Sequence, residues 1–66
     1  MKLGTSVSVT FDDGTRVNGQ VWSLAEPDNY VWLALNSGGY VALNTRTKAV
    51  HQEPRAHSAV LGKVSA

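Results

Sequence analysis

Residues 6–11 alternate polar and apolar, Ser-Val-Ser-Val-Thr-Phe, and are rich in β-branched side chains. This pattern predicts a strand with Val7, Val9 and Phe11 facing inward. Asp12-Asp13-Gly14 follows, and alternation resumes at Thr15. A two-residue loop at Asp13 and Gly14 would set Val9 against Asn18 and Phe11 against Arg16. A three-residue loop sets Val9 against Val17 and Val7 against Gly19. It also puts Gly14 where a type I turn with a G1 bulge needs a left-handed residue. Pattern and turn chemistry agree on the longer loop.

The second strand is expected from 15 to about 24, with Val17, Gly19 and Val21 on its inner face. A glycine in mid-strand predicts a bend or a close backbone approach. The polar connection 25–29 contains Pro27, which cannot sit in a central strand. Residues 30–35 are apolar on both faces, the signature of a central strand covered on both sides. Ser37-Gly38-Gly39 is expected to form a second three-residue loop, again with a glycine in the left-handed slot. That loop pairs Leu35 with Val41 and Leu33 with Leu43. A polar turn at 44–47 precedes a short strand at 48–52 centred on Val50, which Pro54 ends. Beyond it the chain is small and polar, with Val60, Leu61 and Val64 as its apolar members. It reads as a flexible tail over 54–66, with a short helix or an added strand as the alternatives. The expected fold is all-β: a small five-stranded antiparallel, strongly bent barrel of the SH3-like kind over residues 1–53, with no substantial helix.

This arrangement has a second face. With Val17, Val21, Val31, Leu33, Leu35, Val41 and Leu43 in the core, Trp22, Leu24, Tyr30, Trp32 and Tyr40 point mostly the other way. A barrel of this size cannot bury both rows within one chain. Trp22, Trp32 and Tyr40 are therefore read as an interface or partner-binding surface, since interfaces are enriched in Trp and Tyr. The competing reading is a stacking platform for single-stranded bases, each worth about 1–3 kcal/mol. Coiling past Gly19 would instead return Trp22 to the core.

Composition narrows the chemistry. The chain has 66 residues, no cysteine and a net charge of +1 from six basic and five acidic residues. Disulfide scaffolds and thiolate chemistry are excluded. Two histidines without another soft ligand predict no metal and no cofactor. No apolar run approaches the roughly 20 residues of a membrane span. No signal peptide is recognised, so the expected compartment is the cytoplasm. A domain of about 60 residues buries only around 60% of its unfolded surface, which makes a homo-oligomer the expected state. The basic residues are dispersed and nearly balanced, unlike most nucleic-acid modules, although an oligomer would gather Arg46 and Lys48 into a ring of charge. Turn chemistry explains Asp12 and Asp13. His51 is expected as a solvated strand-end group, and His57 falls in the tail. No nucleophile triad or phosphate loop is present, and no enzyme activity is expected.

Val7-x-Val9-x-Phe11-x-x-Gly14, then Gly19-x-Val21 and Asp28-Asn29-x-Val31, resembles the first Sm motif. Val17-Asn18-Gly19-Gln20-Val21 is similar to the corresponding strand of the bacterial Hfq branch. The N-terminal helix usual in that family has no counterpart here. Neither the Arg-Gly of one branch nor the Tyr-Lys-His of the other occurs in 40–50. The resemblance implies an Sm-like barrel and a hexameric or heptameric ring, in which the fourth strand of one subunit pairs with the fifth of the next. It also implies RNA contacts from the loops after the second and fourth strands. Those positions hold Asn29 with Tyr30, and Arg46 with Lys48. Tyr30 would stack a base, Asn29 would bond its edge, and Arg46 would meet phosphate or stack. Loop-forming chemistry for Asn29 and a solvated turn charge for Arg46 are the structural alternatives.

The leading expectation is a non-catalytic oligomeric binding module for single-stranded RNA or DNA. The alternative is a protein–protein adaptor, such as a phage or mobile-element accessory protein, that uses the aromatic face or a strand edge.

Overall fold

A computed structural model describes residues 2–25, 29–55 and 57–65. Six strands follow one another: β1 (Ser6–Phe11), β2 (Arg16–Ala25), β3 (Tyr30–Leu35), β4 (Tyr40–Asn44), β5 (Ala49–His51) and β6 (Val60–Ser65). They form a closed barrel in sequence order, every neighbouring pair antiparallel, with β6 returning to β1. The all-β barrel read from the sequence is the fold observed. Among the described residues no helix is long and apolar enough to cross a membrane.

The first hairpin has the expected register, Val9 opposite Val17 and Val7 opposite Gly19. Gly14 takes the left-handed slot at φ +91°, and its N–H donates to the Phe11 carbonyl at 2.9 Å. Asp13 Oδ1 accepts from the Thr15 N–H at 2.9 Å. That backbone hydrogen bond is the main reason its carboxyl is held below the ordinary 3.8.

The second hairpin uses the same turn one residue earlier than expected. Gly38, not Gly39, donates to the Leu35 carbonyl at 2.9 Å, and Leu35 N–H donates to the Gly39 carbonyl at 3.0 Å. The loop is therefore Asn36-Ser37-Gly38, and Leu33 pairs with Val41 and Val31 with Leu43. A slide of two residues preserves which side chains face the core, so alternation alone does not separate the two registers. Tandem glycines, both at positive φ, offered the left-handed slot twice.

The largest correction is at the C-terminal end. Residues 60–65, expected within a flexible tail, form β6, which pairs with both β1 and β5. The barrel has six strands rather than five and extends through Ser65. Val64 joins the core and Leu61 packs against it. Gly62 lies so close to β1 that an added Cβ would overlap the Thr10 carbonyl and come within 2.7 Å of Phe11 Cα. The closing strand thus carries a glycine where a strand ordinarily carries an apolar side chain, and its pattern is hidden for that reason. Gly19 makes the analogous close approach within β2–β3: a Cβ there would lie 2.8 Å from the Ala34 carbonyl oxygen.

The core is made of valine and leucine. Leu33, Leu43, Val9 and Val50 are its largest fully buried side chains, joined by Val7, Val21, Val31, Val41 and Val64. Both tryptophans lie outside it.

Candidate functional site

Because side chains alternate along a strand, the residues between the core positions of β3, β4 and β5 form the second face. Their rows follow from the register: Tyr30 opposite Asn44, Trp32 opposite Ala42, and Ala34 opposite Tyr40, with His51 opposite Ala42 on the other side. This face divides into two regions.

In the first region, Tyr30, Ala42, Asn44, Ala49 and His51 are buried although they point away from the core. His51 is 5% exposed, not the solvated strand-end group expected. Its Nδ1 lies 3.1 Å from the Ser58 carbonyl and 3.3 Å from Ser58 Oγ, so the β5–β6 connection closes against it. A carbonyl only accepts, so this contact calls for a proton on Nδ1. Ser58 Oγ donates in turn to the Arg55 carbonyl at 2.7 Å. The rings of Tyr30 and His51 meet edge to face, with centroids 5.8 Å apart. No sequence pattern marks His51, because its burial depends on Ser58, seven residues away and outside any strand.

The loops beside this region are tied together. Asn44 Oδ1 accepts from the backbone N–H of Arg46 at 2.9 Å and of Thr47 at 3.2 Å, an Asx-type turn. Lys48 completes it at φ +66°, donating its N–H to the Asn44 carbonyl at 2.8 Å. The Asn29 carbonyl accepts both the Thr45 N–H at 2.6 Å and the Thr45 hydroxyl at 3.0 Å. The end of the β2–β3 connection is thereby fixed to the β4–β5 turn.

Between these parts lies an open cavity of about 370 Å³, lined by Tyr30, Asn44, Arg46, Thr47, Ala49, His51 and Val60. Its size suits one small ring with substituents. Arg46 is the charged residue on its wall. The Tyr30 hydroxyl is buried and has no hydrogen-bond partner.

Of the residues expected to contact nucleic acid, Tyr30 and Arg46 reach this one cavity. Asn29 supports it through its backbone carbonyl, and Lys48 serves the turn without lining the cavity. Tyr30 is 5% exposed, so its ring is not open for stacking as the sequence led one to expect. Its packing beneath the second face is the reason. Among the described residues no group of three or more His, Asp or Glu side chains is placed to hold a metal ion.

The second region is open. Trp22 and Tyr40 are 58% and 55% exposed, with ring centroids 4.8 Å apart at 47°. Trp22 does not return to the core. Val21 pairs with Leu33 and Ser23 with Trp32, leaving Trp22 as the extra residue of a β-bulge that turns it outward. Trp32, the third expected interface residue, is partly buried. The bulge also reverses Leu24, which lies opposite Val31 and so faces away from this region, although it is 67% exposed.

Comparison with protein-family models, curated proteins and solved structures gives no significant match.

Proposed function

We propose that this barrel is a non-catalytic binding module that takes single-stranded nucleic acid at the Tyr30–Arg46–His51 cavity. The supporting observation is the cavity itself: the basic side chain of Arg46 stands with Tyr30, Asn44 and His51 around an open space of about 370 Å³, within the range of small-ligand pockets. In this reading a base enters the cavity beside Tyr30 and His51, while Arg46 meets the adjoining phosphate. The fixing of Thr45 to Asn29 keeps the two loops in place before binding, which reduces the ordering cost of recognition.

The test is fluorescence anisotropy with short single-stranded RNA and DNA over a series of salt concentrations. Binding should weaken with salt, and Arg46→Ala should lower the slope of log affinity against log salt by about one unit while reducing affinity for all sequences. Absence of binding at low salt, or unchanged affinity in Arg46→Ala, would remove this reading.

A further inference from the structure

We propose that the single strand held at the cavity continues over the outer face of β5, β6, β1 and β2, where Lys48, Lys63 and Arg16 meet its phosphates. The proposal rests on the nucleic-acid reading of the cavity and adds the route of the strand beyond it.

Strand register places these residues. Ala49 lines the cavity and lies opposite Lys63 of β6. Lys63 lies opposite Thr10 of β1, and Thr10 opposite Arg16 of β2. The four form one row across the strands. Their chain neighbours Val9, Val50 and Val64 belong to the core, so alternation turns the row outward. Lys63 and Arg16 are exposed, and Thr10 is partly so. With neighbouring strands about 4.8 Å apart, the two cations stand about 10 Å from each other across the barrel surface. Lys48 joins the row to the cavity. It follows Arg46 in the turn built on Asn44, and its carbonyl accepts the Val64 N–H of β6 at 2.9 Å.

Charge along this band has one sign. Arg46, Lys48, Lys63 and Arg16 are four of the six basic residues in the chain. The acids among the described residues stand outside the band. Glu53 pairs with Arg55 at 3.8 Å on the β5–β6 connection. Asp12 and Asp13 occupy the first turn, where Asp13 accepts the Thr15 N–H. The next row, Ser65, Ser8 and Asn18, sets two hydroxyls and an amide beside the cations as further donors to phosphate. Neither row carries a large apolar side chain, which binding to a membrane surface would require. A line of cations leading away from a cavity fits a polyanion that is itself a line. Contacts of this kind track a backbone without reading its bases.

The experiment is fluorescence anisotropy on the whole chain with a dinucleotide and an octanucleotide of single-stranded RNA, each over a salt series. Combining Lys63→Gln with Arg16→Gln should leave dinucleotide affinity unaltered. For the octanucleotide it should lower the slope of log affinity against log salt by about 1.4, the loss of two phosphate contacts on a single strand. Combining Lys2→Gln with Arg55→Gln removes the same charge away from the band and should leave both slopes in place. An octanucleotide slope unchanged by the Lys63 and Arg16 substitutions, while Arg46→Ala still lowers it, overturns the route and leaves the cavity reading standing. An equal loss in the Lys2 and Arg55 variant also overturns it, because the effect is then one of net charge. A wild type that binds neither oligonucleotide removes both the route and the cavity reading. If the Lys63 and Arg16 variant fails to fold, lysine acetylation of the wild type decides. The octanucleotide should slow reaction at Lys48 and Lys63 several-fold but not at Lys2, and equal protection of all three overturns the proposal.

Discussion

The two regions of the second face begin with the same strands and end differently. Around Tyr30 and His51, side chains that point away from the core are buried, and Ala42 between β3 and β5 has no exposure at all. Around Trp22 and Tyr40, a few residues along the same strands, large aromatic side chains stand in solvent. The difference is local. The β5–β6 connection reaches the first region through the Ser58–His51 hydrogen bonds, whereas a bulge directs Trp22 away from the barrel in the second. Apolar residues on both faces of a strand mark it as central, but they do not say what covers the outer face. One half is covered by this chain's own connection. The other stands open.

The largest effect is expected where the covering connection is anchored. Gly62→Ala places a Cβ against the backbone of Thr10 and Phe11. Neither is the flexible end of a side chain, so the strands must separate. A loss of about 3 kcal/mol or more is expected, measurable by urea denaturation, together with faster amide exchange at Ala42 and His51. Near-wild-type stability would mean that β6 does not approach β1 as described. A smaller loss, about 1–3 kcal/mol, is expected for His51→Ala, which removes the ring from the Ser58 carbonyl and opens space beside Tyr30. If hydrogen exchange in 52–59 is unaltered by that substitution, His51 does not hold the connection.

Legibility in the sequence followed the same division. The first hairpin could be read in full because alternation excludes the shorter loop and Gly14 suits the left-handed slot of the longer one. In the second hairpin, alternation is blind to a two-residue slide and Gly38-Gly39 satisfies the turn in either register, so the pairing was displaced. β6 was hidden because close approach to β1 requires Gly62, which dilutes an already sparse apolar pattern. Trp22, Trp32 and Tyr40 were recognisable as an outer row, but the bulge that separates Trp22 from Trp32 has no sequence mark. For the cavity, Tyr30 and Arg46 were legible as loop neighbours. His51 was not, since its environment is built by a contact across an irregular segment.

Tyr30→Phe probes the covered region from the opposite direction. The hydroxyl is buried without a partner, so removing it relieves an uncompensated desolvation. Stability should stay level or rise by up to about 1 kcal/mol. A loss of stability above that amount would show that the hydroxyl is hydrogen-bonded in the unliganded protein.

The smallest change in folding stability is expected at the open region, and it gives the sharpest contrast. Trp22 is the unpaired residue of a bulge and is 58% exposed, so its removal leaves the valine and leucine core intact. In dilute solution Trp22→Ser should shift unfolding by no more than about 0.5 kcal/mol. A large penalty in dilute solution would mean that Trp22 is held by its own barrel, as Tyr30 and His51 are. The two regions would then be one covered surface, and the difference between them would disappear.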